Sequence, residues 1–117
     1  MTTPADEQPL IPQPPATVAT LRQAVSQIAP ASLPAFTREL DLAADQSRLG
    51  SDLAPLRRFI TQWAIYVHIQ RQPGLAADFR RWEDAAGAGD AAQARQAAAE
   101  IGRLLDEAHA ALGLPVR

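Results

Sequence analysis

The chain has 117 residues, a length that suits one domain, with 47% hydrophobic and 21% charged residues. Its formal net charge of −2 and pI of about 5.6 argue against a general nucleic-acid binder or an anionic-lipid anchor, which need a dense cationic face. Cysteine is absent, which removes disulfides, thiolate metal sites and thiol chemistry.

Lysine and asparagine are also absent and alanine is abundant, a bias expected of a GC-rich bacterial genome. All side-chain cations other than histidine are therefore arginines. Acids and prolines stand at the N-terminus, where a signal peptide would carry a basic region and an apolar run. The longest apolar run, Trp63 to Val67, is far too short to span a bilayer, so the cytoplasm is the expected compartment.

Residues 1–16 contain Pro4, Pro9, Pro12, Pro14 and Pro15 and no apolar periodicity. They read as a disordered Pro-rich tail, followed by a helical bundle domain over 17–113. Thr17 is placed to cap a helix over 18–29, with Val18, Leu21, Val25 and Ile28 at helical spacing and Pro30 stopping it. Ser32 is the expected N-cap of a second helix, with Pro34 in its first turn. The buried stripe of that helix is expected to be Leu33, Phe36, Leu40, Ala43 or Ala44, and Ser47, with Leu42 off the stripe and Gly50 as a left-handed cap.

Asp52 then caps a central helix that Pro73-Gly74 ends. At about 100° per residue, Leu56, Phe59, Ile60, Trp63, Tyr66 and Val67 form one broad stripe. Ile65 and Ile69 break the pattern, one turn apart on the side of Arg58 and Gln62. A helix that is apolar on two sides is either covered on both or holds one ready for a partner. Both arrangements remain open on this reading. In the second, Arg58, Gln62, Ile65, Ile69 and Gln72 form a partner-binding patch with an apolar centre and a polar rim.

A fourth helix is expected over 75–86, with Leu75, Phe79, Trp82 and Ala86 on one face and an Arg80–Asp84 pair on the other. Gly87-Ala88-Gly89 reads as a flexible break, and Asp90 as the cap of a fifth helix over 91–112, about 33 Å long. Its seam is expected at Ala94, Ala98, Ile101, Leu105, Ala108 and Leu112, with Gly113 and Pro115 as the stop. No strand-like alternation and no internal repeat occur. The fold class is all-α: a compact bundle of four to five helices behind a Pro-rich tail.

Chemistry finds little support in the residue pattern. His68 and His109 are the only histidines, and neither has a metal-ligand partner at the required spacing. No nucleophile elbow, phosphate-cradling loop or dinucleotide fingerprint is present, so no cofactor, metal or catalytic residue is expected. The doublets Arg57-Arg58 and Arg80-Arg81 flank the Pro73-Gly74 turn and invite a helix-turn-helix reading. The second helix, however, opens on Leu75, Ala76, Ala77 and Asp78 rather than on side chains suited to base edges.

Three segments carry a family resemblance: Ala-Thr-Val-Ala-Thr-Leu-Arg-Gln-Ala-Val (16–25), Leu-Pro-Ala-Phe-Thr-Arg-Glu-Leu (33–40) and Asp-Leu-Ala-Pro-Leu-Arg-Arg-Phe-Ile-Thr-Gln-Trp (52–63). Over residues 16–84 the chain resembles a family of short all-helical bacterial proteins of unknown function from GC-rich genomes. Leu40 stands where that family's pattern has a tyrosine, and the segment from residue 88 onward is longer than the pattern. The resemblance implies packing and capping roles and no activity; antitoxin-like regulation is a suggestion attached to such proteins. The functional expectation is a small non-enzymatic protein–protein interaction module, an antitoxin-like regulator or adaptor, that binds another protein or itself. A DNA-associated transcriptional regulator is the first alternative, and a small-molecule binder or enzyme the second.

Overall fold

The computed structural model describes residues 8–114. Its elements are α1 (Val18–Ile28), a 3₁₀ turn (Pro30–Ser32), α2 (Leu33–Gly50), α3 (Ala54–Gln70), α4 (Pro73–Ala88) and α5 (Ala91–Leu112), with no strand among the described residues. The chain is all-α. Its described residues divide into two compact units, one of residues 11–68 and one of residues 69–114 together with 8–10.

The first unit is built from α1, α2 and most of α3. Thr17 caps α1 as expected, its hydroxyl accepting from the Thr20 N–H at 3.2 Å. Leu21, Ala24 and Val25 carry the buried face of α1. Residues 8–16, where a disordered tail was expected, form no helix but are tied at defined points. Gln13 Nε2 donates to the Ala64 carbonyl at 3.3 Å, and the Pro15 carbonyl accepts from Thr17 N–H and Thr20 Oγ1. Proline lacks a donor but keeps its acceptor, which is the atom used here. Residues 1–7 lie outside the described residues.

Ser32 does not cap α2 with its side chain; its hydroxyl bonds the Tyr66 hydroxyl at 2.7 Å instead. Phe36, Ala43 and Ser47 are the buried residues of α2. Gly50 is not the left-handed residue expected at the end of α2; Ser51 is, at φ 51°. The Ser51 N–H bonds the Arg48 carbonyl and the Asp52 N–H bonds the Ser47 carbonyl, the two bonds of a Schellman ending. Ser47 explains the one-residue shift. It is buried, its carbonyl closes α2, and its Oγ accepts the Leu56 N–H at 3.3 Å, while Asp52 Oδ1 accepts from Ala54 N–H. One serine thus links the end of α2 to the first turn of α3.

The core of this unit is an aromatic cluster. Phe36 is fully buried, with Phe59 and Trp63 each packed edge-on at a ring separation of 5.0 Å. Tyr66 meets Trp63 at 4.9 Å. Such edge-to-face contacts add to the area term, at about 0.5–1.5 kcal/mol per pair. The indole Nε1 of Trp63 is buried with no hydrogen-bond partner among the described residues.

The second unit is an α4–α5 hairpin. α4 runs two residues further at each end than its periodicity suggests; at its start Pro73 sits at the first helical position, where a missing N–H costs nothing. Leu75, Phe79, Trp82 and Ala86 are half-buried, and Ala76 is the fully buried residue. The ion pair on α4 is Arg81 with Asp78 rather than Arg80 with Asp84. The expected flexible break at 87–89 is shorter than it looked: Gly87 and Ala88 are helical, and only Gly89 and Asp90, both extended, join the helices. α5 has the expected ends, with Asp90 Oδ1 accepting from Gln93 N–H at 2.8 Å and Gly113 at φ 64°. Its seam is rotated, however. Ala97, Leu104 and Ala108 are buried while Ala98 is exposed. On the outer face Arg103 pairs with Glu100 and Glu107, and hydrogen bonds and charge from Glu100 first, then Glu107, hold its guanidinium above the usual range.

Candidate protein interface

The patch proposed on α3 is not accessible in this chain. Ile65 and Ile69 are 7% and 4% exposed, so the arrangement found is the one in which both isoleucines are covered. The reason is energetic: leaving two isoleucines wet forgoes about 1.5–3 kcal/mol each. Arg58 and Gln62 are exposed, as a rim would be, and Gln72 is half-buried with its N–H on the Ile69 carbonyl at 3.1 Å. Arg58, Gln62 and Ile65 belong to the first unit, Ile69 and Gln72 to the second.

Exposed apolar surface lies instead along α2. Leu42, Leu49 and Leu53 are 57%, 81% and 59% exposed. Helical geometry accounts for two of them. Phe36, Ala43 and Ser47 point to the core, and Leu42, Gln46 and Leu49 fall about 120° away. Leu42 and Leu49 are seven residues apart, two turns or about 10.5 Å along one edge, with exposed Gln46 between them. Past the Schellman ending, Leu53 is a third exposed leucine, in the turn that leads to α3.

The same edge begins at Glu39, three residues before Leu42. Glu39 Oε1 accepts from Gln62 Nε2 at 3.2 Å, so the Gln62 edge of α3 borders the leucine row. Arg58 precedes Gln62 by one turn and shares that edge. Asp45 and Arg48, paired at 3.1 Å and well exposed, lie among the same turns of α2. The arrangement is an apolar row with polar and charged neighbours, the composition of a contact surface. The residue pattern had set Arg58 and Gln62 around Ile65 and Ile69, and singled out neither Leu49 nor Leu53. Leu42, already off the buried stripe, was the signal: adding seven to it gives Leu49.

Among the described residues no cluster of three or more His, Cys, Asp or Glu could hold a metal ion. His109 is half-buried with its Nδ1 2.8 Å from the Leu105 carbonyl; a carbonyl only accepts, so that nitrogen carries the proton. No helix of the described residues is long and apolar enough to cross a membrane. No family model, curated protein or solved structure matches the chain.

Proposed function

We propose that the chain is a non-enzymatic helical interaction module that docks another polypeptide on the leucine edge of α2. The observation that carries this reading is the exposure of Leu42, Leu49 and Leu53, each more than half exposed on a unit whose other large apolar side chains are buried or half-buried. Antitoxin-like regulators and adaptors act in this manner, by covering a partner's surface rather than by chemistry. The occupant is another protein or a second copy of the chain. Burial of the three leucines by the occupant would supply the apolar centre, and Arg58, Gln62 and the Asp45–Arg48 pair the polar rim.

The test is the pair of substitutions Leu42→Glu and Leu49→Glu in one chain. Both sites are wet, so the circular-dichroism melt should stay within a few degrees of wild type. Sedimentation velocity and quantitative affinity capture should then show loss of self-association or of the captured partner. A double variant that keeps every associated species of the wild type would end this reading.

A further inference from the structure

A second surface lies on the α1 side of α2 and adjoins the leucine edge where Arg38 precedes Leu42 by one turn. Here α1 and α2 enclose an open groove of about 960 Å³ whose apolar lining is Ala19, Leu33 and Pro34. Arg22, Arg38 and Asp41 supply its charges. The two arginines have no ion-pair partner among the described residues, in contrast to Arg48, Arg81 and Arg103. Arg22 is also held in place: its guanidinium carbon lies 5.6 Å from the centre of the Phe36 ring, and Phe36 is fully buried. A guanidinium in cation–π contact with a ring keeps its N–H groups for hydrogen bonding, which suits a carboxylate.

We infer that this groove binds an amphipathic acidic helix of a partner protein, whose carboxylates meet Arg22 and Arg38 and whose apolar side chains rest on Ala19, Leu33 and Pro34. Charge decides the occupant. The chain as a whole is acidic at −2, yet this groove carries two cations and one anion, so it selects for negative side chains. Asp41, also without an ion-pair partner among the described residues, gives the groove one anionic position and so disfavours a uniformly acidic partner. Shape excludes a small organic acid as the main ligand. Drug-sized molecules bind where most of their surface is enclosed, and an open trough between two helices suits a third helix laid along it.

The probe is a fluorescent 16-residue peptide with Leu and Ala on one helical face and Glu at two positions one turn apart on its border. Its control has Gln for both glutamates. Anisotropy titration of the full chain should show saturable binding of the Glu peptide that weakens with added salt. The Gln peptide should bind at least about tenfold more weakly, as should the Glu peptide to Arg22→Gln or Arg38→Gln. Both arginines are exposed, and circular dichroism checks that each variant is folded. The Leu49→Glu chain, altered eleven residues from Arg38, should bind the peptide normally, so a failure of the leucine edge and a failure of the groove are told apart. Equal binding of the Glu and Gln peptides, unchanged binding to both arginine variants, or no saturable binding at all would overturn the inference. Citrate competing at the peptide's own affinity would also overturn it, in favour of a small-anion site.

Discussion

Trp63 is the residue on which the first unit depends most. It touches Phe36, Phe59 and Tyr66, and no other side chain joins as many rings. Truncation to Ala should cost about 3–5 kcal/mol, a large share of the roughly 5–15 kcal/mol that holds a small protein folded. Trp63→Phe should cost clearly less. It leaves a smaller void, and it removes an indole N–H that is buried without an acceptor among the described residues. Urea denaturation of the two variants gives the order; equal losses would mean that the N–H has a partner that matters. Ile65 and Leu49 make a second contrast. Glu in place of buried Ile65 strands an unpaired carboxylate and should cost at least about 3 kcal/mol. Glu in place of Leu49, which is 81% exposed, should change stability by about 0.5 kcal/mol or less. A tolerant Ile65 in the same denaturation assay would show that the core has been misassigned.

At the scale of elements, the α4–α5 connection is the most demanding piece of backbone. Only Gly89 and Asp90 separate the two helices, and a Cβ on Gly89 would fall 2.8 Å from Gln93 Cβ and 3.0 Å from the Ala85 carbonyl oxygen. Gly89→Ala should therefore lower the melting temperature, since a backbone oxygen has little room to move. Gly102, within α5, shows nothing within 4 Å of a Cβ, so Gly102→Ala should raise stability by about 0.5–1 kcal/mol through helix propensity. Differential scanning calorimetry checks both signs, and the same sign for both would contradict this account of the hairpin.

The elements also show what was legible in the residues. Helix ends marked by a dedicated side chain were readable: Thr17 and Asp90 each place an oxygen on the first-turn N–H groups, and Gly113 takes the left-handed cap. The end of α2 was not, because Gly50 attracted the cap assignment while buried Ser47 set the closing bonds one residue later. The seam of α5 was misread by about 60° for a different reason. In an alanine-rich helix several faces satisfy a three–four spacing, and only packing on α4 selects Ala97 and Leu104. Ile65 and Ile69 could be placed on the second side of α3 by periodicity, but periodicity does not say whether that side is covered.

For the molecule as a whole, the all-α class followed from the absence of strand alternation and from five separable periodic segments, which the five helices match. The candidate surface was only half legible. Arg58 and Gln62 had been set around Ile65 and Ile69, which folding buries, and the exposed leucines of α2 were not singled out. A leucine reads the same whether it is wet or covered; only the packed structure sorts Leu42, Leu49 and Leu53 from Leu21 and Leu104. The central claim, that α2 docks a polypeptide along this edge, is open to one direct measurement. A photo-crosslinking amino acid placed at Leu49, and separately at exposed Ala110 on α5, is irradiated in the cells that make the protein. The account predicts a discrete higher-mass adduct, to a second copy or to one partner, from position 49 and none from position 110. No adduct from position 49, or the same adducts from both positions, would contradict it.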